Sequence, residues 1–161
     1  MSTANYPSTI SNLLQDQWSL TSPLNASAIN WPLSKQDTIN SLNQKTPMTQ
    51  LIIIGCYNGA PARSVERPTR QLYLIVEKVV IEVDMTQPSN SSDSIASTEA
   101  NLEEVTNEIY RILHMQNITP NSRSVLYDID SEPTHVNNDR MLRNTINVLV
   151  SYMHIAEGTL T

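Results

Sequence analysis

The side chains best suited to chemistry are Asp128, Asp130 and Glu132, three carboxylates at alternate positions. Alternate residues of a strand share one face. A row of three carboxylates there could hold a hard cation or do acid–base work. No glycine-punctuated calcium loop accompanies them. The reading adopted is a solvated strand end, free of metal, that faces a channel or a neighbouring subunit. His114, His135 and His154 fall on three separate segments without the HxH or HxxxH spacing of a metal site. His114, at the end of a predicted helix, has a structural use as a dipole partner. Cys56 is the only cysteine, which excludes an intrachain disulfide and a thiolate zinc cluster. It reads as a small buried hydrophobe beside Gly55. No GxSxG, Walker or GxGxxG pattern occurs, and three glycines in all leave little for a phosphate cradle. The expectation is a protein without catalytic residues, cofactor or metal.

Charge is distributed unevenly. Arg63, Arg67 and Arg70 crowd the stretch from Gly55 to Gln71 against Glu66 alone. From Glu77 to Glu108 there are eight acids against Lys78, beginning with Glu77, Glu82 and Asp84. A basic arm and an acidic face on one molecule could dock head to side between identical copies and close a ring. The same pattern also fits an ordinary hairpin loop with solvated arginines.

The elements that would carry these residues follow from periodicity. With 161 residues, 39% of them apolar, the chain fits one domain with one core. Phe is absent, so Ile, Leu, Val and Met must build that core. Only 16% of residues are charged, and the net charge is -6. Such a surface suits protein contact and argues against a dedicated binder of nucleic acid or anionic membrane. No apolar run is long enough to span a bilayer, and the first residues lack the pattern of a signal peptide. The expected setting is a cytoplasm, or a particle assembled in one.

Ser8 to Leu20 predicts a helix, with Ile10, Leu13, Leu14 and Trp18 on one face. Residues 21 to 50 form a polar, proline-containing extended connection. Residues 51 to 85 hold two strands around a long arm, 55 to 70, that has little core of its own. Gln71 to Met85 is the strongest strand signal, dense in β-branched residues. Residues 86 to 97 form a Ser-rich linker. Residues 98 to 116 form the best helix, with Leu102, Val105, Ile109, Ile112 and Leu113 as its buried stripe. Residues 125 to 155 supply two more strands. The predicted fold is two-layer α+β: a mixed or antiparallel sheet of about four strands, packed by two helices, with a long hairpin arm.

This order resembles the tail terminator (tail-completion) proteins of long-tailed phages and related archaeal viruses. The features are a short helix ending in Trp18, an extended stretch holding Asn30-Trp31-Pro32, two strands around a long loop, and a linker. The helix from Leu102 to Leu113 follows, and the run from Asp139 to Tyr152 enters a final strand. The resemblance implies a hexameric ring in the virion that ends the tail tube and joins it to the head connector. DNA would pass through its channel, and the family has no catalytic residues to carry over. Another neck protein, such as a head-completion protein, and a non-viral oligomeric adaptor are the alternatives. An enzyme built on Asp128, Asp130 and Glu132 is the third class.

Overall fold

The computed structural model describes residues 5–34, 50–66, 72–86, 91–114, 116–119, 122–127, 134–136 and 141–155. Asn5 opens the first helix, α1 (Tyr6–Gln17), by accepting a hydrogen bond from the Ser8 amide at 3.2 Å. Pro7 fits the first turn because its missing N–H has no partner there anyway. The helix therefore starts and ends slightly before the predicted bounds of 8 and 20. Trp18 turns extended and donates its indole N–H to the Leu24 carbonyl at 2.7 Å. Beyond a 3-10 turn at Ala26–Ala28 comes a short strand, β1 (Ile29–Asn30), inside the predicted connection.

Two 15-residue strands follow, β2 (Ile52–Glu66) and β3 (Leu72–Thr86), paired antiparallel. This corrects the arm expected over 55–70. Up to Glu66 the segment is a strand, and its register shifts only between Asn58 and Arg63. A bulge absorbs the Gly59–Ala62 irregularity, and Pro61 is tolerated where no ladder amide is needed. Arg67 and Arg70 lie outside the described residues.

The second long helix, α2, runs from Ser92 to Leu113. It takes in half of the predicted linker. Ser91 caps it by accepting from the Ser94 amide at 3.2 Å, and Asp93 sits in its first turn. Once capped, a Ser/Ala run propagates as helix at small cost per residue. The predicted apolar stripe is correct: Leu102, Val105, Ile109, Ile112 and Leu113 are all buried.

Four strands complete the chain: β4 (Asn117–Thr119), β5 (Ser122–Tyr127), β6 (Thr134–Val136) and β7 (Met141–Ile155). The sheet order is β1-β2-β3-β7-β5-β4, with β6 also on β7. The β1–β2 pair is parallel and the rest antiparallel. The α+β class is as predicted. Among the described residues the sheet has seven strands where about four were expected, because three of them span only two or three residues. Segments that short carry no readable period.

Alternation assigns the two faces. On one, Ile54 and Cys56 of β2, Val79, Ile81 and Val83 of β3, and Ile146 and Val148 of β7 are fully buried in one cluster with Ile10 and Leu14 of α1 and the α2 stripe. One polar bridge crosses this layer. Asn144 of β7 donates to the Thr106 hydroxyl at 2.9 Å, and that hydroxyl donates to the Leu102 carbonyl at 2.8 Å.

Neighbouring residues of α2 should therefore differ sharply on substitution. Ile109→Ala should cost about 2–5 kcal/mol of unfolding free energy, and exposed Tyr110→Ala within about 0.5 kcal/mol. Urea unfolding of both variants checks this.

Candidate functional site

The second face of the sheet differs in chemistry from the first. The register places Ile53, Gly55 and Tyr57 of β2 beside Asp84, Glu82 and Val80 of β3, and these beside Arg143, Thr145 and Asn147 of β7. At its centre Arg143 grips Asp84 in a two-pronged pair. Nε donates to Oδ1 at 2.7 Å and Nη2 to Oδ2 at 3.1 Å. Nη2 also lies 3.7 Å from a Glu82 carboxylate oxygen. The Asp84 side chain is 1% exposed, and that of Arg143 is 29% exposed. The hydrogen bonds from Asp84 raise the Arg143 pKa against the opposing effect of burial, so the guanidinium stays charged.

Tyr57 closes one side of this cluster. A Cβ built at Gly55 would collide with the Tyr57 hydroxyl and with its ring carbon Cζ. The ring thus lies back along its own strand over Gly55, and only glycine leaves room for it.

A second buried carboxylate ties the helices together. Glu108 of α2 accepts from the Ser19 amide at 3.1 Å, from the Ser19 hydroxyl, and from Arg111. Arg111 also donates to the Gln17 carbonyl at 2.9 Å, at the end of α1. Burial alone would push the Glu108 pKa up. The bonds from Ser19 and Arg111 outweigh it and hold the carboxyl below its ordinary value.

The predicted interface residues separate on this geometry. Asp84 is corrected: it is buried and bound by Arg143 of its own chain, so it is not available to another copy. Glu82 is half-buried beside the same guanidinium. Glu77 lies opposite Arg63 in the β2–β3 ladder. Arg67, Arg70, Asp128, Asp130 and Glu132 lie outside the described residues. Among the described residues no group of three or more His, Cys, Asp or Glu could hold a metal.

The remaining candidates are structural. Cys56 is buried, and desolvation pushes its thiol up to about 12, so it is a protonated core side chain and a poor nucleophile. His114 follows α2 directly and stacks on Tyr110 with ring centroids 4.6 Å apart. Arg143 and Glu108 were the residues missed. Arg143 and Asp84 are 59 residues apart, so no local pattern pairs them. Glu108 sat among the acids of a helix with no local mark of burial. The cluster on the second face can hold β7 to β3 and present a mixed polar surface; it offers no activated nucleophile.

No known protein family matches this chain, and no curated protein matches it in sequence.

Removing either arginine–carboxylate contact should be measurable. Arg143→Leu leaves the Asp84 charge buried and unpaired and should cost about 3–5 kcal/mol. Arg143→Leu with Asp84→Asn should recover more than half of that loss in a double-mutant cycle read by thermal unfolding. Glu108 has a folded pKa below its unfolded one. Its contribution is therefore present above the ordinary glutamate range and lost as pH falls through the depressed value. Glu108→Gln should flatten the acid limb of stability against pH, measured by denaturant midpoints from pH 7 downward. An unchanged limb would remove Glu108 from that role.

Proposed function

We propose that this protein is a structural subunit of a viral tail or neck, a ring that ends the tail tube and joins it to the head connector. The observation that carries the reading is the two-sided sheet. One face is apolar and covered by α1 and α2. The other presents a half-buried mixture of Lys78, Val80, Glu82, Thr145, Asn147, Leu149 and Ser151. Partly apolar, weakly charged surface is the composition of protein–protein contacts. The order of elements supports the same reading through its resemblance to tail terminators, and the ring size proposed, six, rests on that resemblance.

The chemistry of the described side chains is consistent with an assembly part. Asp84 and Glu108 are engaged by arginines, and Cys56 is a buried protonated thiol. None of the helices among the described residues is long and apolar enough to cross a membrane. In the proposed ring DNA is a passing cargo. The net charge of -6 disfavours retention of its phosphates, because bound phosphate requires cationic contacts.

Negative-stain electron microscopy of the full chain, alone and mixed with its tail-tube protein, tests this. The expected images are six-membered rings with an open centre, seated on one end of each tube. Monomers only, at every concentration and with the tube present, would overturn the reading.

A further inference from the structure

A buried amide between α2 and β7 is only half satisfied. Asn144 stands on the covered face of the sheet and is 6% exposed. Its Nδ2 donates to the Thr106 hydroxyl at 2.9 Å, and that hydroxyl donates its only proton to the Leu102 carbonyl at 2.8 Å. The Thr106 oxygen can therefore only accept from Asn144. This fixes the amide with Nδ2 toward the helix and Oδ1 turned away from that bond. Oδ1 is buried and has no hydrogen-bond partner.

The side chains around it offer no donor. Leu142 and Ile146 flank Asn144 on the same face of β7, and Val83 faces it from β3. All three are buried and apolar, as is Leu102 one turn before Thr106. A buried carbonyl without a donor forfeits its hydration and receives nothing in return. Native interiors answer such a group with a protein donor or an ordered water.

The ladder is interrupted at the same place. β6 pairs with β7 as far as Arg143, and β5 pairs with it from Asn147 onward. Over Asn144, Thr145 and Ile146 the one partner among the described strands is β3. Successive residues of an antiparallel strand turn their backbone groups to alternate sides. This stretch therefore points at least one N–H and one C=O away from β3, into the interruption.

We infer that Asn144 anchors an internal water-binding site between β7 and α2. One water donates to Oδ1 and takes a second bond from the backbone of Asn144 to Ile146. A buried water needs two or more such partners. The ligand chemistry is that of a small neutral donor. A cation is disfavoured, because Glu82 and Asp84 stand on the other face of β3 and a single amide oxygen cannot replace a hydration shell. A larger polar molecule has no room in a close-packed layer. The bound water completes a chain of bonds from the Leu102 carbonyl through Thr106 and Asn144 to the sheet. Apolar contact alone leaves the rotation of α2 on β7 undirected, and this chain directs it. The site is independent of what the protein assembles with.

Water–protein cross-relaxation in NMR spectra of the full chain tests this, with the methyl groups of Val83, Leu102 and Ile146 as reporters. The wild type should show water cross-peaks to these methyls with the sign of a long-lived bound water. Asn144→Leu should lose them, with circular dichroism checking that it is folded. Thr106→Val should keep them, because the anchor remains. That variant also removes the hydroxyl through which exchange could imitate a bound water. A wild type without the cross-peaks overturns the site. So does a folded Asn144→Leu that retains them, and so does a folded Thr106→Val that loses them. A high-resolution crystal structure of the wild type decides the matter even if a variant fails to fold. A water within hydrogen-bond distance of Oδ1 is expected, and a protein donor there, or an oxygen left dry, overturns the inference.

Discussion

Fifteen consecutive register pairs join β3 to β7, from Leu72 opposite Ile155 to Thr86 opposite Met141. This ladder decides what every other element can do. Its period of two sends Val79, Ile81 and Val83, with Ile146 and Val148, to one side, where the helices cover them. It sends Lys78, Val80 and Glu82, with Arg143, Thr145 and Asn147, to the other. A slip of one residue in β7 would carry Arg143 under α2 and Ile146 out of the core. The ion pair between Arg143 and Asp84 opposes that slip, because it forms only in the native register. Its net contribution to stability is not the point, since a buried pair can do no better than an apolar one of the same shape. Its effect is that the wrong register leaves a buried carboxylate without a partner.

The helix layer has a fastening of the same kind at its hairpin end. Ile10 and Leu14 bring α1 into the core, but apolar contact is not directional. Glu108 supplies direction by binding Ser19, just past α1, and by holding Arg111 against the Gln17 carbonyl. The last carbonyls of α1 would otherwise lack intrahelical partners. At the other end of α2, Gln50, Thr98 and Asn101 make a smaller neutral counterpart. The long helix is thus fixed at both ends by polar contacts and along its length by its stripe.

What the sequence revealed and what it hid divide along the range of the interactions. The α2 stripe and the β3 strand were readable because their periods repeat over many residues within one segment. The start of α2 was not. Ser91 is one serine among several, and only the folded chain shows which of them caps. Gly55, Gly59 and Pro61 argued locally for a loop. A partner strand as long as β3 outweighs them, since each ladder bond gained offsets part of a weak residue's cost. The second-face cluster depends on a pair 59 residues apart, and no local pattern can announce such a pair. The sequence did reveal the charge imbalance between the segment near residue 65 and the helix near residue 100. It could not tell which acids fold inward.

That sorting of acids gives the surface its character. In a chain with only 16% charged residues, the two most deeply buried carboxylates among the described residues, Asp84 and Glu108, each meet an arginine of their own chain. Arg143 and Arg111 are thereby engaged. The acids left over line the first part of α2. Exposed charges of this kind attract weakly and are screened by salt. A contact made from them is reversible, and it gains strength only when several act together with apolar area from the second sheet face. In the proposed ring, one subunit would then bind another loosely. Each further subunit adds contacts without further loss of freedom for those already placed, and a tube end that presents several sites at once would raise the effective concentration. In the proposed ring, weak charge at the surface and firm pairing inside therefore belong together: the interior would resist slippage before assembly, and the exterior would hold only where many copies meet.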